Sequence, residues 1–258
     1  MIQLLEAHGY AIAVTLLLFS TFVSGVELAS IRGLHIDLVF PDTARRNKRA
    51  LWLGLHATEA SLAVVTWIAF RYGQVLQFRV LFVLLGAVVA LSYRLRTAGK
   101  DGADQVRLLS YLAYALGFLL SGSDGERIPM YFLGGQVVIA YGTAGTVKAL
   151  SKYWRGGHVV SRILSIYSYG WPRIGNVLAA HPTLDRVCSY SPIVMMLLVP
   201  VTFFLPLHLP LVAALGLMFC FHLSAAALMG LNDFVATFTS AYPGVILLHS
   251  AIIVWLQG

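Results

Sequence analysis

Apolar residues fall in runs long enough for a membrane helix, roughly 20 residues, and short polar segments separate the runs. They predict spans over about 10–31, 50–70, 75–93, 106–121, 129–150, 189–206, 208–229 and 233–257. Only a few residues join the last two, so the count is about eight, or seven if they act as one. The stretch 151–188 has no full span and carries Tyr, Trp, Pro and Arg, which predicts short helices lying at the membrane interface. Pro200 is expected to break the sixth span, and the Pro243–Gly244 pair to kink the last. The fold class expected is an all-α integral membrane protein. One transmembrane domain is expected over 1–258, without a soluble domain, and the sequence shows no internal repeat.

Composition agrees with the pattern. Hydrophobic residues make up 59% and charged residues 11%, with a mean hydropathy of +0.79, which excludes an ordinary soluble domain. The net charge of +7 would suit nucleic acid, but the basic residues sit in loops between apolar runs. That placement speaks for topology and contact with anionic lipid, and against a nucleic-acid partner. Of eighteen Lys and Arg, only Arg71, Arg79 and Arg127 fall on one side of the alternating spans. The other fifteen fall on the side of loops one, three and five, with Arg45, Arg46, Lys48 and Arg49 clustered beyond Pro41. The positive-inside rule places those loops in the cytoplasm. Cys188 and Cys220 form no disulfide framework or zinc pattern. Residues 10–31 read as a retained span, being too long for a signal peptide.

Ionisable residues inside spans are candidates for function, because each needs a partner or water. Glu27, His56, Glu59, Lys148 and His222 qualify. His56 and Glu59 share a helix face, as a hydrogen-bonded pair or as two metal ligands. No spacing nominates a third ligand, so the pair is the plainer reading and no metal is expected. The densest stretch is QVVIAYGTAGTVKALSKYWRGG, residues 136–157. A small-residue patch (Gly142, Thr143, Ala144, Gly145) would admit a neighbouring helix or a flat ligand. Lys148 follows, and an ammonium at bilayer depth costs roughly 2.5–3.5 kcal/mol. It either snorkels to the headgroups from the helix end or serves a function. His222 either makes an interhelical hydrogen bond or takes part in chemistry. Phosphate loops, Rossmann glycines, haem or iron–sulfur motifs and serine elbows are absent.

That stretch resembles the Q…Y…AG…K…W…G signature of the vitamin-K-dependent γ-glutamyl carboxylase and its bacterial relatives, the HTTM-domain family. The matching residues are Gln136, Tyr141, Ala144–Gly145, Lys148, Trp154 and Gly157. GADQVRLLSYLAYALGFLLSGSD upstream and FHLSAAALMGLNDFVATFTSAYP downstream are similar to further family segments, so the resemblance covers roughly residues 75–245. It implies oxygen chemistry on a reduced quinone, a vitamin K or menaquinone hydroquinone. A lysine at the place of Lys148 acts as base, oxygen adds, and the resulting strong base takes a proton from a glutamate side chain to which carbon dioxide adds. The resemblance thus implies catalytic roles for Lys148 and His222, and quinone or substrate contacts for Gln136, Tyr141, Gly142, Gly145, Trp154 and Asp104. Low dielectric suits the role, since it favours a neutral, basic amine.

Two departures shape the expectation. Where the carboxylase has an essential histidine before the fourth span, this chain reads Asp101-Gly102-Ala103-Asp104-Gln105. That bears on the carboxylation half more than on the quinol half. A counterpart of the carboxylase's large peptide-binding domain is not expected either, since in length the chain is nearer to stand-alone bacterial members of the sporulation-delaying protein B type. Those act with small partner proteins in maturing a secreted peptide, which implies a bacterial inner membrane. The expected function is a quinol-dependent enzyme that modifies a peptide or small substrate, an epoxidase or a carboxylase-like lyase. The alternative is a non-catalytic membrane subunit that binds peptide, quinone or lipid and docks a partner. A small transporter is disfavoured, because no inverted repeat or pair of broken helices appears.

Overall fold

The computed structural model describes residues 1–30, 45–96, 100–120, 122–166 and 170–257, with backbone alone at 45–48. Pro41 and most of the basic segment of loop one lie outside the described residues, as do the side chains of Arg45, Arg46 and Lys48. Every regular element among the described residues is helical. In chain order these are α1 (Ile2–Ser30), α2 (Arg45–Arg71), α3 (Val75–Leu95), α4 (Gly102–Gly117), α5 (Asp124–Leu150) and α6 (Lys152–Arg155). There follow α7 (Val159–Leu164), α8 (Pro172–Ala180), α9 (Pro182–Phe203), α10 (His208–Met229), α11 (Asn232–Ser240) and α12 (Tyr242–Gln257). Six stretches are long and apolar enough to cross a membrane: α1, Arg49–Arg71 of α2, α3, α9, α10, and Asn232–Gln257 across α11 and α12.

Two helices form the centre. α1 packs on α2, α11 and α12, while α5 packs on α4, α9 and α12. The buried face of α1 runs Gly9, Ala13, Val14, Leu17, Leu18, Thr21, Ser24 and Gly25, a spacing of three and four that keeps one stripe inward. Polarity is distributed the opposite way from a water-soluble bundle. Phe19, Phe22, Leu112, Leu116, Ile139, Val194 and Leu217 face outward, whereas Thr21, His56, Glu59, Arg107, His222 and His249 are buried. Such a surface is suited to lipid, and the buried polar groups must find partners inside the protein.

Several element boundaries differ from the sequence pattern. α4 begins earlier than expected because Asp101 and Asp104 form a reciprocal capping box that starts a helix at Gly102. α9 begins at Pro182, where a proline in the first turn forfeits no helical hydrogen bond, and this removes the last residues of the expected interfacial stretch. The expected break at Pro200 does not occur: α9 runs through both Pro192 and Pro200 to Phe203. At Pro192 the freed carbonyl of Cys188 accepts from the Ser191 hydroxyl at 3.2 Å instead, one way a membrane helix tolerates proline. The last helix is interrupted as expected, but at Ala241, so that Pro243 falls in the first turn of α12.

The tightest crossing joins α5 to α12. A Cβ added to Gly244 would lie 2.1 Å from the Met130 carbonyl oxygen, and one added to Gly134 would lie 2.5 Å from the Gly244 carbonyl carbon. The two backbones touch, so no larger residue fits without parting the helices. Gly244→Leu should therefore destabilise the protein by about 1–3 kcal/mol or more. Gly54→Leu, with nothing within 4 Å of its added Cβ, should leave the melting temperature in detergent unchanged. Equal melting of the two variants would remove this crossing from the account of stability.

Candidate functional site

Charged side chains gather where α1, α2, α3, α4 and α11 meet. Asp104 receives Arg96 Nη2 at 2.6 Å and a second, shorter contact from Arg107. Arg107, 1% exposed, reaches across to Asp233 at 3.3 Å. Asp101, Asp104 and Asp233 each bring one carboxylate oxygen within 4.8 Å of the others, close enough to share a cation. Guanidinium groups already fill that role, and a metal ion would have to compete with both. Burial above all pushes the Asp101 carboxyl up from 3.8 to about 6.

The same network continues along α2. His56 Nδ1 lies 3.0 Å from Glu59 Oε2, and both side chains are fully buried. The structure thus forms the pair that the helical spacing suggested. Trp52 packs edge-on against the His56 ring and donates its indole N–H to the Leu28 carbonyl. Glu27 accepts from the Asn232 amide, and Thr21 and Tyr111 share a hydrogen bond at 2.8 Å. Sequence reasoning named Glu27, His56 and Glu59 as ionisable groups inside spans but passed over Arg107 and Asp233. The visible signal was the i,i+3 spacing of Asp104 and Arg107 at the head of an apolar run, with Asp233 at the head of another.

A second centre lies between α5, α10, α11 and α12. Tyr141 Oη is 2.9 Å from His222 Nε2 and 3.1 Å from Tyr242 Oη. Phe238 stacks on the His222 ring at 4.6 Å and 17°, and on the Tyr141 ring at 5.6 Å and 23°. His222 Nδ1 is buried and has no partner. Of the residues singled out in the sequence, the structure brings Tyr141 and His222 into direct contact. Tyr242 and Phe238 complete the centre, and neither drew attention before.

Lys148 is placed differently. It lies in the last turn of α5, two helical turns or about 10 Å beyond Tyr141. Its amine stands 5.5 Å over the ring of half-buried Trp154. Gly142 faces Pro200, while Gly145 packs against Leu197 and Met196, so α9 covers the small-residue patch. Gln136 is half-buried on α5, and Asp104 is bonded to its arginines.

The segment around Trp154 is tied down from α9. Asp185 accepts from the Ser161 amide and hydroxyl and from His158, while Ser189 accepts from the Val159 and Val160 amides. These contacts cap the amide end of α7. Gly157 has φ +72°, a left-handed conformation that glycine adopts without strain, and Arg186 lies where a Cβ would go. Two recesses open elsewhere: one of about 210 Å3 beside Phe70, Phe118 and Arg79, and an apolar groove of about 530 Å3 along Val187, Val194 and Leu198. Neither is lined by Lys148 or His222.

No family model, no curated protein and no solved structure matches the chain. The carboxylase resemblance therefore rests on the motif residues themselves.

The ion network generates a direct test. Arg107→Leu strips both Asp104 and Asp233 of a buried partner, a loss worth about 3–5 kcal/mol. Thermal unfolding in detergent should show it, and Arg107→Leu combined with Asp233→Leu should recover part of the loss. An unchanged melting temperature in the single variant would mean that the network does not hold the helices.

Proposed function

We propose that the chain is an eight-pass membrane enzyme that acts on a reduced quinone with oxygen to modify a peptide or small substrate. The observation that carries the reading is the Tyr141–His222–Tyr242 centre. Two phenols and an imidazole, hydrogen-bonded to one another under Phe238, leave His222 Nδ1 without a partner. A buried polar atom left open is costly unless a ligand or water meets it. A quinol hydroxyl meets the requirement chemically, and the flanking aromatic rings suit a flat ligand. His222 and Tyr141 would hold and orient the ring, and Phe238 would keep water out. Lys148, in the motif shared with the carboxylase, would take the proton. The quinol, when bound, supplies the electrons that reduce oxygen. The reading extends to the quinol half alone, and Asp104, where the carboxylase has its histidine nearby, is held by Arg96 and Arg107.

A second reading, a non-catalytic subunit, is favoured by one observation: Gly142 and Gly145 are packed against α9 rather than bordering an open recess. Oxygen uptake by purified protein supplied with reduced menaquinone separates the two. The enzyme reading expects uptake that Lys148→Ala abolishes and that Lys148→Arg does not restore, because a guanidinium stays protonated. Absence of uptake by the unaltered protein, or full uptake in Lys148→Ala, would leave the subunit reading.

The eight passes take α4 and α5 as the fourth and fifth and α11–α12 as the last. Charge supports an inner-membrane orientation with loops one, three and five in the cytoplasm. In a variant lacking Cys188 and Cys220, a cysteine replacing exposed Lys100 should resist an impermeant thiol reagent on intact cells and react after lysis. Labelling on intact cells would reverse the orientation.

A further inference from the structure

A pair of histidines is not used by either centre. His249, on α12, is 1% exposed, and its Nδ1 is 2.9 Å from the Phe203 carbonyl at the end of α9. A carbonyl only accepts, so Nδ1 carries the proton and Nε2 presents its lone pair. That nitrogen is buried without a partner. Packed against its ring is His208, the first residue of α10, whose Nδ1 is likewise buried and unpartnered. The two rings stand 5.0 Å apart between centres and cross at 83°. Both orphaned nitrogens thus occur in one ring pair, on elements far apart in sequence.

The spacing has a chemical counterpart. Two imidazoles bound to one tetrahedral ion at about 2.0 Å per bond have ring centres about 5 Å apart. An imidazole whose other nitrogen donates to a backbone carbonyl also has the arrangement typical of a metal ligand, with tautomer and orientation fixed from outside. No third His, Cys, Asp or Glu among the described residues joins the pair closely enough to complete a protein cage.

The geometry points to a metal site at His208 and His249, in which a first-row transition ion of the zinc class is held by His208 Nδ1 and His249 Nε2 with two positions left to water or an exogenous ligand. Imidazole donors favour zinc, copper or nickel over magnesium or calcium. The site lies at the turn between α9 and α10, with His249 buried and His208 half-buried. It is separate from the Tyr141–His222 centre and does not depend on the quinol reading.

Zinc added to chelator-treated protein in detergent, followed by gel filtration and elemental analysis, tests the assignment. One equivalent should remain per chain, and cobalt should give the strong visible absorption of a tetrahedral site. His208→Ala and His249→Ala should each weaken retention roughly tenfold or more, the order of effect expected when a ligand set is disturbed. Replacing exposed His181 should not. His208 is only half-buried, so His208→Ala stays readable even where His249→Ala fails to fold. Retention by His208→Ala equal to that of the unaltered protein, or no stoichiometric retention at all, would overturn the site.

Discussion

The backbone contact between Gly134 and Gly244 sets the geometry on which the inner centre depends. Because neither glycine has a side chain, α5 and α12 close to touching distance. Tyr242 lies half a turn before Gly244 and Tyr141 two turns after Gly134, and the close crossing brings their hydroxyls to 3.1 Å. His222 and Phe238 then close around Tyr141 from α10 and α11. A wider crossing would leave two buried phenols short of one another, and each would have to be satisfied some other way.

Polar groups organise the rest. Inside hydrocarbon there is little free energy to gain from pressing one apolar helix face on another, so specificity falls to close packing and internal hydrogen bonds. The network of Arg96, Asp104, Arg107 and Asp233 joins α4 to α11 and to the end of α3. Asp185 and Ser189 play the corresponding part for the short helices before α9. Asp104, Asp185 and Asp233 are spent on amides, hydroxyls, imidazole or guanidinium groups, while the apolar surface stays outside.

Much of the architecture was legible in the sequence because hydropathy is a local property. The apolar runs located α3 and α10 closely, whereas α1 and α2 begin before their runs, and the His56–Glu59 pair followed from helical spacing alone. The misplaced ends have local causes of another kind: a capping box at Asp101 and Asp104, and a proline at the head of α9. Pro200 misled because a proline breaks a helix only when nothing around it compensates. The partners of Arg107, Tyr141 and His249 were not legible, since they come from elements distant in the chain. A sequence names the residue that needs a partner but not the helix that supplies it.

The pairing of Arg107 with Asp233 spans 126 residues, and that of Glu27 with Asn232 spans 205. Both depend on α11, which leaves the ribosome well after α1 and α4. Until α11 arrives, Arg107 has Asp104 beside it, but Glu27 lacks the amide that will cover it. Between the synthesis of α1 and that of α11, Glu27 therefore goes without the partner it has in the folded bundle. In the folded bundle α11 thus fastens helices that were made long before it.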